Sequence, residues 1–300
     1  MSETLSGPSI FRSGFAGIIG APNAGKSTLL NRMIGEKISI TSQKPQTTRN
    51  RILGVLHRPH AQIAFIDTPG IHTPKGLLNQ KMVEAALSTL EDVDVILFVI
   101  DAETPKEKPE ELIVASLKGL RKPVILVVNK IDRIKKHLLL PLIDLWASRH
   151  AFESIVPISA KHGDQVALLM EKMEPLLPEG PPYFPEDTLT DLPERFIVAE
   201  MIREKAFRLT GQEIPYAIAV TIDGFSMKNK NAVIHAVIHV EKDSQKGIII
   251  GKGGEKLKQI GQEARQDIER LLNAKVFLSL MVRVQKNWSD DTRALRKLGY

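Results

Sequence analysis

GAPNAGKS, from Gly20 to Ser27, brings two glycines, a lysine and a hydroxyl within eight residues. The apolar run FAGII precedes it, and STLLNRMI, whose spacing predicts a helix over Lys26–Ile34, follows it. A strand, a glycine turn and a helix in that order make a phosphate cradle. Backbone N–H groups point inward to α- and β-phosphates, and the helix N-terminus adds a favourable dipole. Lys26 should then reach the β- and γ-phosphates and Ser27 should ligate Mg²⁺. Gly20, Asn23, Ala24, Gly25 and Thr28 complete the cradle.

A phosphate loop alone does not choose a base. NKID, Asn129 to Asp132, follows the apolar run PVILVVN, at the carboxyl edge of a sheet where nucleotides bind. Asp132 can accept two hydrogen bonds from N1–H and N2–H₂ of guanine. Adenine offers no such pair, and an unmatched carboxylate is strongly disfavoured. Asn129 braces the loop, and the Lys130 stem can lie over the base. SAK, Ser159, Ala160 and Lys161, follows the next apolar run and can aim a backbone N–H at guanine O6. The site is therefore read as one for GTP and GDP.

DTPG, Asp67 to Gly70, ends the run QIAFID. Asp67 is placed to hold Mg²⁺ through water, and the Gly70 N–H to meet the γ-phosphate. Between the cradle and DTPG lies KPQTTRNR, where a threonine can bind Mg²⁺ and sense the γ-phosphate. Thr48 is preferred to Thr47 for that role. The catalytic set read from these motifs is then Lys26, Thr48 and Gly70, and the metal set Ser27, Thr48 and Asp67.

A second glycine loop, GKGG, runs from Gly251 to Gly254. It matches the GXXG pattern that clamps the backbone of about four nucleotides, where a missing Cβ lets RNA come close. Lys252 supplies charge, and Lys256 and Lys258 flank it. Ile248–Ile250 are expected to pack a short helix against a sheet. Charge distribution agrees. Lys and Arg exceed Asp and Glu by three in residues 1–184, fall short by three in 185–244, and exceed them by six in 245–300. The basic excess surrounds the second loop and points to a polyanion there.

The elements that must position these residues follow. Short runs rich in Val and Ile alternate with helical patterns from Phe15 to about Leu177. That predicts an α/β fold with a doubly wound, mostly parallel sheet. RILGVLH and QIAFID are expected to form a hairpin through Arg58–His60, and Glu111–Leu120 a helix. A proline-rich stretch, Pro175 to Asp187, marks a boundary. The division is 1–180 for the nucleotide domain, 181–193 for a linker and 194–300 for a smaller α+β domain. The latter reads as a helix (Glu194–Leu209), strands (Tyr216–Phe225 and Ala232–Glu241), two helices around GKGG, a strand (Val276–Val284) and a short basic helix in the tail. In AVIHAVIHV, His235 and His239 suit a metal only on a helix. In a strand they lie about 13 Å apart, too far to share an ion.

Composition adds limits. The chain has no cysteine, which excludes disulfides and thiolate metal sites and suits a reducing cytoplasm. Its first residues, MSETLSGPSIFRSG, lack a secretory pattern. The longest apolar run, Val93 to Ile100, is interrupted by Asp94 and far shorter than the roughly 20 residues that span a bilayer.

With these motifs in order across residues 13–177, the chain resembles the TrmE–Era–EngA group of P-loop GTPases. With a carboxyl-terminal GXXG domain it is similar, over nearly its whole length, to the bacterial Era family. ISITSQKPQTTR and DDTRALRKLGY share that likeness. The resemblance implies a Ras-like GTPase domain and a type II KH domain. It implies binding of single-stranded RNA, the 3′ end of 16S rRNA, in assembly of the small (30S) ribosomal subunit. It also implies peripheral contact with the inner membrane, and a monomer is expected. GTP and Mg²⁺ are expected to order Lys37–Arg51 and Thr68–Asn79, and hydrolysis to release them. Ras-like enzymes orient water with a glutamine after DxxG; here that place holds Ile71. The group often carries a P-loop asparagine and uses K⁺ instead, and Asn23 matches that asparagine. Two other readings stand beside this one. A GTPase of a tRNA-modifying complex would be expected to carry a further catalytic domain or cysteine. An RNA-binding adaptor with weak hydrolysis is opposed by intact Lys26, Ser27, Asp67 and Asp132.

Overall fold

A computed structural model of the chain describes residues 10–42, 44, 46–74, 76–210 and 217–300. Most of the amino-terminal stretch read above for a secretory pattern lies outside the described residues. So do Gln43, Pro45 and Lys75 of the two expected switch segments, and Tyr216.

Two compact units emerge. The first comprises Met1–Ile38, Asn50–Thr73 and Val83–Asp191; the second comprises Ser39–Arg49, Pro74–Met82 and Leu192–Tyr300.

In the first unit, β1 (Arg12–Gly20), β3 (Ala61–Asp67), β4 (Val95–Asp101), β5 (Val124–Asn129) and β6 (Ser154–Pro157) are parallel. β2 (Ile52–Arg58) is antiparallel to β3, and the sheet order is β2-β3-β1-β4-β5-β6. The hairpin expected through Arg58–His60 is therefore present. β3, β4 and β5 are buried along their whole length, as unbroken apolar runs require. Helices α1 (Lys26–Ile34), α3 (Glu107–Leu117), α4 (Leu139–Ala147) and α5 (Val166–Met173) belong to this unit, and α2 (Leu77–Asp92) begins in the second. One apolar core runs from Ile19, Phe98 and Leu126 to Ile113 and Trp146. α3 starts four residues before its expected Glu111, since Glu107 and Glu110 favour a first turn. It stops at Leu117, two residues before Gly119 takes φ +90°. The proline-rich stretch packs against β1 and β3. Gln62 Oε1 accepts from the Tyr183 and Phe184 amides, and Phe15 stacks on Tyr183 with ring centroids 5.6 Å apart.

In the second unit, α6 (Glu194–Leu209) leads into β7 (Ala219–Lys228) and β8 (Asn231–Val240), which are antiparallel. Then come α7 (Asp243–Ile250), α8 (Glu255–Leu272) and β9 (Lys275–Val284), parallel to β8. β7 ends at Lys228 instead of Phe225. The two residues between β7 and β8, Asn229 and Lys230, both have positive φ, so a tight hairpin turn carries the pairing to the strand ends. On β8, Ala232, Ile234, Ala236 and Ile238 face the core. His235 is exposed, whereas His239 is buried with Nε2 2.9 Å from Thr221 Oγ1. The strand reading of AVIHAVIHV holds, and no group of three or more metal-ligating side chains occurs among the described residues. Of Ile248–Ile250, only Ile249 is fully buried. Ile250 packs partly, and Ile248 is 43% exposed because one turn presents only one side to the core. The tail forms α9 (Thr292–Lys297), capped by Asp291 accepting from the Arg293 and Ala294 amides.

Candidate functional site

β1 delivers the chain to the loop Gly20–Gly25 at its carboxyl end. Gly25 has φ +99°, and a Cβ there would lie 2.2 Å from Asn129 Nδ2. Asn23 is exposed and also left-handed, with φ 67°. Lys26, Ser27 and Thr28 open α1; Lys26 is buried, and Ser27 and Thr28 are half-buried. Lys26 Nζ donates to the Gly20 and Ala21 carbonyls at 3.1 Å each. Burial pushes its pKa down to about 8, against the pull of the Asp67 carboxylate.

Ser27 Oγ donates to Asp67 Oδ2 at 2.6 Å, so the two hard oxygen ligands expected for Mg²⁺ converge on one point. Asp67 ends β3 and is fully buried. Gly70 is pressed on the loop, where a Cβ would come within 2.7 Å of Pro22 Cα. The Ile71 amide donates to the Gly20 carbonyl at 3.1 Å, and the Ile71 side chain is fully buried. His72 Nδ1 lies 2.9 Å from the Gly70 carbonyl.

Asn129 joins the base side of the site to the phosphate side. Its Nδ2 donates to the Ala24 carbonyl at 2.8 Å, and its Oδ1 accepts from the Ala160 amide at 3.0 Å. One side chain thus ties the phosphate loop to the Ser159–Lys161 turn. Ser159 Oγ donates to Asp132 Oδ1 at 2.6 Å and holds that carboxyl below its usual range. Lys130 is left-handed, φ 66°, and its ammonium pairs with Asp101. Arg32 donates to the Ala160 and Lys161 carbonyls. Of the backbone N–H groups in the Ser159–Lys161 turn, that of Ala160 is given to Asn129.

Thr47 and Thr48 fall in Ser39–Arg49, which packs with the second unit. Both are buried, and Thr47 Oγ1 donates to the Lys44 carbonyl at 2.6 Å. Sequence reasoning missed what holds this segment. Glu204 accepts from the Thr41 amide at 2.9 Å, Arg203 donates to the Thr47 carbonyl, and Lys44 donates to the Phe207 and Thr210 carbonyls. Arg49 is buried with its guanidinium 5.7, 5.5 and 5.2 Å from the rings of Phe207, Trp288 and Tyr300. It donates to the Ile218 carbonyl and to Tyr300.

The second glycine loop sits between α7 and α8. Gly251, Gly253 and Gly254 all have positive φ, and a Cβ on Gly251 would lie 2.7 Å from Lys256 Cβ. Lys252 and Lys258 are exposed, and Lys256 is half-buried. Beside the loop a groove of about 490 Å³ is lined by Gly254, Leu257, Lys258, Gln262, Arg265 and Phe277, among others. Gln262, Arg265 and Phe277 were missed, yet they were legible. Lys258, Gln262 and Arg265 share a helix face at four- and seven-residue spacing. Val276, Leu278, Leu280 and Val282 alternate inward on β9, which turns Phe277 outward, 63% exposed.

A family model described as a 50S ribosome-binding GTPase matches residues 15–130, and a KH domain model matches residues 213–289. GTPase Era of Geotalea uraniireducens is 56% identical over 97% of this chain and 98% of its own length. That of Geobacter metallireducens is also 56% identical, with the same coverage. Among solved structures, an Aquifex aeolicus Era variant bound to GDP·AlF₄⁻ matches at 46% identity with a TM-score of 0.93, covering 97% of this chain and 99% of that one. Era in complex with MgGDPNP and nucleotides 1506–1542 of 16S ribosomal RNA matches with the same identity, TM-score and coverage.

Proposed function

The chain belongs to the Era family of GTPases, and from that premise we propose a division of labour between its two glycine loops. It hydrolyses GTP in the first unit and binds single-stranded RNA, the 3′ end of 16S rRNA, along the groove beside Gly251–Gly254. The biological setting is assembly of the small ribosomal subunit.

The observation that carries the nucleotide reading is the Asn129 bridge. It fixes the phosphate loop and the base-recognition turn as one piece, with Asp132 beside the turn on Ser159. Both halves of a nucleotide can then be read in one pose. The cradle fits a polyphosphate: Gly25 leaves no room for a Cβ, and Lys26 Nζ lies on the loop's own carbonyls, one side-chain swing from a phosphate. Ser27 and Asp67 fit Mg²⁺ by ligand type and convergence. Bound there, Mg²⁺ neutralises charge on the β- and γ-phosphate oxygens. Thr48 as a further ligand, and Gly70 as γ-phosphate donor, complete the assignment. With the Ala160 N–H given to Asn129, the Lys161 N–H is assigned to guanine O6.

For RNA, the support is a loop of three left-handed glycines, a basic helix face and an exposed aromatic edge around one groove. Gly251, Lys252, Gly253 and Gly254 hold the backbone, with Lys256 and Lys258 on its phosphates. The solved Era complex with 16S rRNA nucleotides supports the choice of RNA. K⁺ assistance rests on Asn23, an exposed asparagine held left-handed in the phosphate loop. A cytoplasmic monomer with peripheral contact at the inner membrane rests on the family resemblance. No helix among the described residues is long and apolar enough to cross a membrane.

Base choice tests the nucleotide assignment. Asp132→Asn should move preference from GTP to xanthosine triphosphate, because the xanthine 2-oxo group needs a donor where guanine needs an acceptor. Nucleotide titrations of both proteins decide it; undiminished GTP preference in the variant refutes the site.

A further inference from the structure

Ile71 fills the place where Ras-like enzymes carry a water-orienting glutamine, and its side chain is fully buried. The next residue offers what Ile71 lacks. His72 Nδ1 lies 2.9 Å from the Gly70 carbonyl, and only an N–H can bond a carbonyl, so the hydrogen sits on Nδ1. In the neutral ring that leaves Nε2 as a lone-pair acceptor. Among the described residues Nε2 is shielded and has no hydrogen-bond partner. An unsatisfied, shielded acceptor is disfavoured, and a donor that reaches it relieves that cost.

The anchor matters as much as the orphan. Gly70 is the residue assigned to the γ-phosphate. It is held on the phosphate loop by its contact with Pro22 and by the Ile71 amide on the Gly20 carbonyl. A ring tethered to the Gly70 carbonyl therefore stays with the residue assigned to the γ-phosphate. A base whose second nitrogen is fixed by a carbonyl is the arrangement that orients a histidine for proton transfer.

We propose that His72 is the water-activating residue of GTP hydrolysis, with Nε2 accepting a hydrogen bond from the attacking water. This rests on the nucleotide site assigned above. The water oxygen forms a bond to the γ-phosphorus. The bond from that phosphorus to the β–γ bridging oxygen breaks, and its electron pair stays on GDP. One water proton passes to Nε2 and then to solvent, leaving GDP and phosphate.

The test uses the full chain and three proteins: wild type, His72→Ala and His72→Gln. His72→Ala should lower kcat by about 10²–10⁴-fold. GDP affinity should stay within about twofold, which also shows that the variant folds. Affinity for GDP with aluminium fluoride should fall with kcat, because that ligand mimics the transition state. Added imidazole should restore part of the His72→Ala rate, and His72→Gln should retain more activity than His72→Ala, since its amide oxygen can also accept from water. Unchanged kcat in His72→Ala, or a loss of GDP affinity that matches the loss of rate, overturns the proposal. So does an absence of both imidazole rescue and glutamine retention. A wild-type chain that fails to bind GDP would instead overturn the nucleotide site itself.

Discussion

Lys26 carries a pH dependence that the motif alone did not show. Its pKa in the folded protein is pushed down to about 8 by burial, below the 10.5 of a free lysine. Between those two values the unfolded chain holds the proton and the folded chain has lost it. This group's contribution to stability therefore rises with pH across that window, and it is a penalty below about pH 8. A bound polyphosphate reverses the preference, since it needs the ammonium. Nucleotide binding should then take up close to one proton above pH 8, and affinity should be about tenfold weaker at pH 9 than at pH 7. Calorimetry in buffers of different ionisation enthalpy measures both; binding with no proton uptake at pH 9 contradicts it. At this scale the sequence was a good guide to which residues come together, as for Lys26, Ser27, Asp67 and Asn129. It was silent where a role depends on which bonds are already made. The engaged Ala160 amide and the orphaned His72 Nε2 are facts of side-chain geometry, and no spacing encodes them.

Elements show the same contrast. Strands β3, β4 and β5 were legible as unbroken apolar runs, and α1 and α6 were legible to the residue because apolar spacing and flanking turns agree. The hold on Ser39–Arg49 was not. Its partners on α6 and the tail lie more than 150 residues away in the chain, as in Thr41 to Glu204 and Arg49 to Tyr300. A segment read as a nucleotide switch is, in this structure, pinned by Glu204, Arg203 and a guanidinium caged by three aromatic rings. Each desolvated cation–ring contact contributes up to about 2 kcal/mol, and truncation also strips a partner from the Ile218 carbonyl. Arg49→Ala should destabilise the second unit by roughly 2–4 kcal/mol, and Arg49→Lys should recover little because a point charge cannot lie flat on three rings. Thermal unfolding of the three proteins, with GDP affinity measured alongside, checks this. Equal unfolding midpoints would mean the cage is incidental.

At the scale of the whole molecule, two phosphate-seeking loops lie in two separately packed units, and the basic excess gathers around the second. Charge bookkeeping made that asymmetry legible before any fold was known, and the structure adds a groove beside the second loop. The most direct test is RNA affinity of Gly253→Asp beside its GDP affinity. Gly253 has φ +60°, and a Cβ there meets nothing within 4 Å, so the loop has room for the side chain, and aspartate is among the side chains least strained by that backbone. What the substitution opposes is an incoming phosphate, by close approach and by charge. The account predicts that Gly253→Asp loses single-stranded RNA binding while GDP binds as in wild type. Lys252→Ala should only weaken RNA and reduce the salt slope by about 0.7. RNA bound as tightly by Gly253→Asp as by wild type, or a loss of GDP in its place, would contradict the division of labour between the two loops.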